Sequence, residues 1–497
     1  MCGSLKFVTS SWAGRGPCFP PILWSALLTI VAGLALFSQT WAWFVDEGFH
    51  LLASQLINSG KKPYLDFFYP QTPLWAFINA AWMRVFGDTW RSSHLLSALL
   101  TGGSIILTAD FVFKRVPEKT WNLRAALIAT ILIGLNTLII QFGTVGHAYA
   151  ICLFLNVASF RLATKAAAKS SASLVFWCGL CAGASAESSL LSTPVLPILL
   201  AWTVWRSVSG ERVKTFIWFL VGAGIAFLPL VYLATLAPRQ LFFNTFEYHF
   251  FHRHPESAAT LHNLKTLYRL LDSSQFLLLI IFAGIGLLFV LGNSQWKVER
   301  KAEFYLCGYV VAGLGMFLTT LRFTYIPYFI LLIPFLTILA SIGIMATATW
   351  LGQSGRPAWL VPGVLALYLS GLPRWVWHES RMVHWSHMEE VAKVVNDVTP
   401  AGAWIWAHES IYFATRRIPP TGLEHSDSHK LRLSPAASAS LHVVSYADLN
   451  DWIGAGRFAT AVVCFGWFDT IGMPKLYAQH AKVAECDIFW SKSAQNY

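Results

Sequence analysis

The chain has 497 residues, 55% of them hydrophobic and 12% charged, with a formal net charge of +11. Soluble domains carry about 25% charged residues, so this composition excludes an ordinary soluble fold and points to a polytopic membrane protein. The Lys and Arg residues fall between apolar runs, where the positive-inside rule places them, which argues against a nucleic-acid partner.

Residues 1–21 carry Lys6 and Arg15 ahead of an apolar run from Ile22 to Phe44. That run is too long for a signal-peptide core, and no small-residue cleavage site follows it. It reads as an uncleaved anchor with a cytosolic N-terminus. Further runs of spanning or near-spanning length lie at about 91–113, 124–143, 147–163, 173–187, 190–206, 215–236, 275–293, 304–320, 326–349 and 359–376. One apolar stretch, "TPLWAFINAAWMRVFG", reads instead as a surface helix. Thr72 is its N-cap, Pro73 opens it and Gly87 stops it. Some 15 residues make roughly 22 Å of helix, short of a hydrocarbon core of about 30 Å. Leaving it out puts the Lys114–Arg115, Arg161–Lys169, Arg206–Lys214 and Lys297–Lys301 clusters on one side. The expected fold is thus an α-helical polytopic membrane protein of about eleven spans. The N-terminus is inside, the transmembrane domain covers 22–377, and an extracytoplasmic domain covers 378–497.

Two carboxylates, Asp46 and Glu47, stand where the first run ends. The segment Glu47–Ser59 sets Phe49, Leu52, Ala53, Leu56 and Ile57 on one helical face, with His50, Ser54, Gln55 and Asn58 opposite. That pattern predicts an interfacial helix lying on the bilayer. With the helix at 73–86 it flanks a turn-rich linker, "KKPYLDFFYPQTP", and the pair could roof a cavity open to lipid and to water. Tyr64, Asp66, Tyr69 and Gln71 on that linker are candidates for substrate contact. Acidic residues at a membrane boundary are functional candidates by default, though an Asp before a helix also suits plain capping.

The polar tail alternates helical stretches with short apolar runs such as "AWIWA", "ATAVVCF" and "VAECDIFW", which predicts a small α/β domain. Cys464 and Cys486 sit on two of its candidate strands, where an oxidising compartment would permit a disulfide. Cys178 and Cys181 lie inside an apolar run and read as packing residues.

Asp46–Glu47, Ser59–Gly60, Pro63–Tyr64 with Asp66, Pro73–Leu74, Phe86–Gly87 and Arg91 form one ordered pattern. With it the chain resembles the polyprenyl-phosphate-sugar-dependent glycosyltransferases of the GT-C superfamily. It looks most like the branch with the protein O-mannosyltransferases, the lipid A aminoarabinose transferase and the lipopolysaccharide-core galacturonosyltransferases. The resemblance is good over residues 22–115 and looser beyond, and the tail's "VAKVVNDVTPAGAWIWAHESIYFATRRIPPTG" is similar to tails of bacterial members. It implies inverting transfer of a sugar from a polyprenyl-phosphate donor to an acceptor hydroxyl of a glycan, lipid or protein. The expected place is the outer face of a bacterial inner membrane, with a divalent cation as an open question.

That chemistry needs a carboxylate to take the acceptor's proton and donors for the phosphate as its charge grows. The resemblance suggests Asp46 as general base, with Glu47 positioning the acceptor or a cation. It places Arg322 and Tyr325 of "TTLRFTYIPYF" at a phosphate clamp, and His249 and Arg253 of "NTFEYHFFHRHPES" near the donor. His249, His252 and His254 could alternatively bind metal, though their spacing matches no zinc pattern, and Arg322 could be a snorkelling side chain. The chain departs from the family at His147 and Glu187, where many members have an acid and a Lys, and at Gln71–Thr72, where the aminoarabinose transferase has an acid–base pair. His147 could replace the missing acid as a hydrogen-bond partner. The rival reading is a transporter or lipid-linked-glycan flippase, which calls for mid-membrane charges and paired broken helices.

Overall fold

The computed structural model describes residues 19–41, 46–169, 171–252, 259–353, 359–381, 384–426, 431, 433–464 and 473–491. Lys6, Arg15 and the last residues of the first apolar run lie outside them. Helix α1 (Pro21–Phe37) is followed by the two short helices of the first loop, α2 (Glu47–Asn58) and α3 (Leu74–Phe86). Then come α4 (Trp90–Arg115), α5 (Asn122–Gly134), α6 (Thr137–Phe142), α7 (Tyr149–Lys169), α8 (Ala172–Ser188), α9 (Val195–Arg206), α10 (Arg212–Ala226) and α11 (Leu228–Leu236). A short α12 (Pro238–Phe242) runs into a π-helical turn, Phe243–His252, before α13 (Ala259–Asp272), α14 (Ser274–Gly292), α15 (Val298–Thr320), α16 (Ile333–Gln353), α17 (Leu360–Leu369) and α18 (Leu372–Glu379).

Helix thus occupies each apolar run read from the sequence. Among the described residues, five helices are long and apolar enough to cross a membrane, and the pair α10–α11, bent by 53° at its break, makes a sixth if it is one span. The run at 124–143 is broken at Leu135–Asn136, where the Asn136 side chain caps α6 by accepting from the Leu138 N–H. Close approach of helices fixes part of the bundle. A Cβ on Gly179 of α8 would stand 2.1 Å from the Phe219 carbonyl oxygen of α10, and one on Gly222 would stand 2.1 Å from that of Phe176. Small residues at such crossings let backbones meet, which is how helices associate where lipid is as apolar as leucine. Cys178 is buried and Cys181 partly buried in this packed helix, and both are unbridged thiols.

The tail opens with α19 (Trp385–Val398), β1 (Ile405–Trp406) and α20 (Glu409–Thr415), continues through α21 (Pro435–Ser440), α22 (Tyr446–Gly454), β2 (Thr460–Cys464) and α23 (Met473–Leu476), and closes with β3 (Gln479–Val483) and β4 (Cys486–Trp490). Its sheet has the order β1-β2-β4-β3, parallel between β1 and β2 and antiparallel elsewhere. Cys464 and Cys486 face each other across β2 and β4 and are disulfide-bonded.

One expectation needs correcting. Helix α2 does not lie open on a bilayer: Glu47 through Ser54 are all buried. Its apolar face shares a hydrophobic core with the tail, where Phe49, Leu52 and Leu56 are clustered with Trp385, Met388, Ile411 and Tyr412. Its polar face turns toward α3, where the Asn79 amide donates to Ser54 Oγ at 3.0 Å. The amphipathic tail supplies the apolar partner that the loop, read alone, would take from lipid. Further ties run from the tail to the spans. Trp90 stacks on Trp385, and Trp90 Nε1 and the Arg91 guanidinium both donate to Glu389.

Gly48 is the closest point of this docking: a Cβ there would meet Ser410 Oγ at 2.3 Å and its backbone nitrogen at 2.8 Å. Gly48→Ala should therefore cost about 1–3 kcal/mol through overpacking, read as a lowered thermal midpoint of the detergent-solubilised protein. Gly48→Ala with Ser410→Gly should recover part of the loss.

Candidate active site

The acidic pair splits into two different environments. Asp46 holds the N-cap position of α2, yet its side chain makes no capping hydrogen bond, and it is only half-buried. Simple capping therefore does not account for this residue. Glu47, one residue on, is completely buried. Its Oε1 accepts from His94 Nε2 of α4 and, at 2.8 Å, from the Gly146 N–H, while Oε2 accepts from Trp385 Nε1 of the tail at 3.3 Å. His94 also donates from Nδ1 to the Ser38 carbonyl, so both ring nitrogens face oxygen and the ring is held in one orientation. A buried charge is tolerable only when it is paired and hydrogen-bonded, and here donors from three distant segments meet on one carboxylate.

Beyond the pair, α2 presents His50 to a compact aromatic group. His50 Nδ1 is 2.9 Å from the Tyr69 hydroxyl, and its ring stands edge-on to His147 with centroids 4.4 Å apart. His147 stacks on Tyr149, and Phe49 lies 4.7 Å from the ring of His425. Burial, reinforced by His147 and His425, holds His50 well below the usual imidazole range, so the ring is neutral. Burial likewise raises the Tyr69 hydroxyl far above its ordinary value.

The linker is held by its own hydrogen bonds. Tyr64 takes a left-handed backbone, φ 68°, which is uncommon outside glycine. Its hydroxyl donates to the Gln71 carbonyl at 2.5 Å, closing the turn. Asp66 accepts from the Lys62 N–H at 2.6 Å and so serves the turn's other end. The Tyr69 N–H donates to Asn244 Oδ1, and His249 Nε2 donates to the Pro70 carbonyl at 2.8 Å. The Arg322 guanidinium donates to the carbonyl of Phe250, next to His249, while Tyr325 packs edge-on to His262. A line of contacts therefore runs from α2 through Tyr69, Pro70 and His249 to Arg322. Most residues singled out from sequence are gathered along it. Asp66 stands apart, and Arg253 and His254 lie outside the described residues. Glu187 is buried at the end of α8, beside Tyr64 and the backbone of Leu230. Among the described residues no group of three His, Cys, Asp or Glu side chains is close enough to hold a metal ion.

His94, Trp385, Gly146 and His425 were not found by sequence reasoning. A polar ring one turn inside an apolar run marks His94 in retrospect. Nothing local marks Trp385, whose role depends on how the tail folds back.

Two outcomes follow from this geometry. Glu47→Ala should strand His94 and two N–H donors, costing about 3–5 kcal/mol, whereas Glu47→Gln should cost less; thermal unfolding reads both. Glu424 in the tail is pushed up to about 8 by burial, against a usual value of 4.5. A raised carboxyl pKa favours folding below the unfolded value and opposes it as pH rises toward the folded one. Glu424→Gln should match wild type in thermal midpoint near pH 4 and exceed it increasingly up to about pH 8.

The architecture has solved counterparts over nearly its full length. ArnT from Cupriavidus metallidurans bound to undecaprenyl phosphate superimposes with a TM-score of 0.64 at 13% identity, covering 95% of this chain and 98% of that one. The apo form of the same protein gives 0.64 at 14% identity, covering 94% and 97%. No protein-family model matches the sequence, and no curated protein matches it significantly. A likeness at this identity establishes architecture: the chain is a multi-pass membrane protein with the GT-C fold.

Proposed function

We propose that this chain is an integral-membrane glycosyltransferase that moves a sugar from a polyprenyl-phosphate donor to an acceptor hydroxyl. The observation that carries the reading is the placement of Asp46. It stands half-buried at the membrane end of α2, on a helix whose register is pinned by the neighbouring Glu47. The similar fold was solved with undecaprenyl phosphate bound, which supports a lipid-phosphate donor.

In this reading Asp46 accepts the proton of the acceptor hydroxyl while its oxygen attacks the anomeric carbon and the sugar–phosphate bond breaks with inversion. The polyprenyl phosphate leaves as an anion and needs cationic donors as its charge grows. Arg322 and Tyr325, with Arg253, are assigned to that clamp. Tyr64, Tyr69, Gln71, His147 and His249 are assigned to the walls that orient sugar and acceptor, Asp66 to the turn that shapes the linker, and Glu47 positions the base. The membrane is a bacterial inner membrane crossed about eleven times, with the site and the tail outside. The Cys464–Cys486 bridge supports that sidedness, because disulfides persist in oxidising compartments.

The test is transfer in membranes, measured as mass added to an extracted lipid or glycan. Asp46→Asn should lower the rate by about 10²–10⁴-fold with the protein still folded, and a rate equal to wild type would remove Asp46 from the chemistry. In the same assay Arg322→Ala should raise KM for the lipid donor with little change in kcat. An unchanged KM would take Arg322 out of the clamp.

A further inference from the structure

The end of the bundle away from the acidic pair is strongly basic. Helix α4 is 26 residues long, about 39 Å, and its last turns carry Asp110, Lys114 and Arg115. Asp110 pairs with Lys114 and with Arg161 of α7, and Arg115 pairs with Glu303 of α15 at 3.3 Å. Arg206 at the end of α9 and Arg300 lie within electrostatic reach of the same Glu303, so cations outnumber carboxylates here. Arg161 is almost wholly buried, and its Nε and Nη1 have no hydrogen-bond partner among the described residues; Arg206 Nε has none either. A buried guanidinium with idle donors is costly unless an acceptor occupies the space beside it.

Beside this cluster is a hollow of about 50 Å³ between α7, α8, α9 and α10. At roughly 10–15 Å³ per water it has room for a few waters or one small anionic group. Arg206 and Lys214 bring positive charge to its wall, Ser171, Ser207 and Thr215 bring hydroxyls, and Glu211, paired with Lys214 at 3.1 Å, is its one acid among the described residues. Exposed apolar side chains are next in sequence to its lining residues: Trp205 to Arg206, Val213 to Lys214 and Phe216 to Thr215. A cationic hollow between membrane helices with greasy flanks suits a phosphate headgroup whose chains lie along the protein.

We propose that this hollow binds the headgroup of an anionic phospholipid, at a site separate from the Asp46 region and independent of the reading given above. Arg206 and Lys214 hold the phosphate. The ligand is a membrane lipid rather than a dissolved anion, because the flanking apolar surface rewards acyl chains.

Native mass spectrometry of the full purified chain tests this, with tetraoleoyl cardiolipin, phosphatidylcholine and inorganic phosphate as separate probes. Wild type should retain cardiolipin and not phosphatidylcholine. Arg206→Gln with Lys214→Gln should weaken cardiolipin retention at least tenfold, with melting unchanged in its absence. Glu211→Gln, which removes the acid and disturbs little else, should strengthen retention and serves if the double variant fails to fold. Equal retention of both lipids, or of cardiolipin by wild type and all variants, overturns the proposal. So does retention of inorganic phosphate equal to that of cardiolipin, which would make this a site for free anions.

Discussion

The enclosed carboxylate of Glu47 is the constraint around which the half of the molecule holding α2 and the tail is organised. An ionised group out of reach of water demands donors, and the chain meets that demand from α4, from the turn before α7 and from the first turn of the tail. Each donor fixes one element against α2. The orientation of α2, and with it the direction in which Asp46 points, follows from satisfying its neighbour. The two adjacent acids thus have unlike duties: one is sealed in and sets geometry, the other keeps access to the space outside.

The two ends of the bundle differ in a matching way. At one end the first loop and the tail pack on each other, with aromatic rings from α2, the linker and the tail pressed together. At the other, cations are in excess and some guanidinium donors are idle. Under the proposed function the substrates are lipid-borne, and a headgroup held at the far end would seat the bundle without touching the chemistry.

Much of the fold was legible in the sequence because membrane burial imposes coarse rules. Apolar length located the helices, Pro73 and Gly87 marked the short α3, although Pro73 and not Thr72 takes its N-cap place, and short apolar runs located β2 and β4. What escaped was tertiary. The spacing of Phe49, Leu52 and Leu56 shows that α2 has an apolar side but not whether lipid or protein will cover it, and here α19 and α20 do. The acidic pair was visible, but its division of labour was not, since Trp385 lies 338 residues from Glu47 in the chain. His147 stands out in the sequence for its place at a span end, whereas its actual neighbours, His50 and Tyr149, follow from how the turn at Gly146 folds.

That separation has a bearing on biogenesis. The last donor to Glu47 is synthesised only after nearly the whole transmembrane region has left the ribosome. Until the segment around Trp385 docks against α2, Glu47 is short of one partner and the face that Phe49 and Leu52 turn toward the tail is uncovered. The first loop therefore reaches its final shape only when the C-terminal portion arrives to lock it.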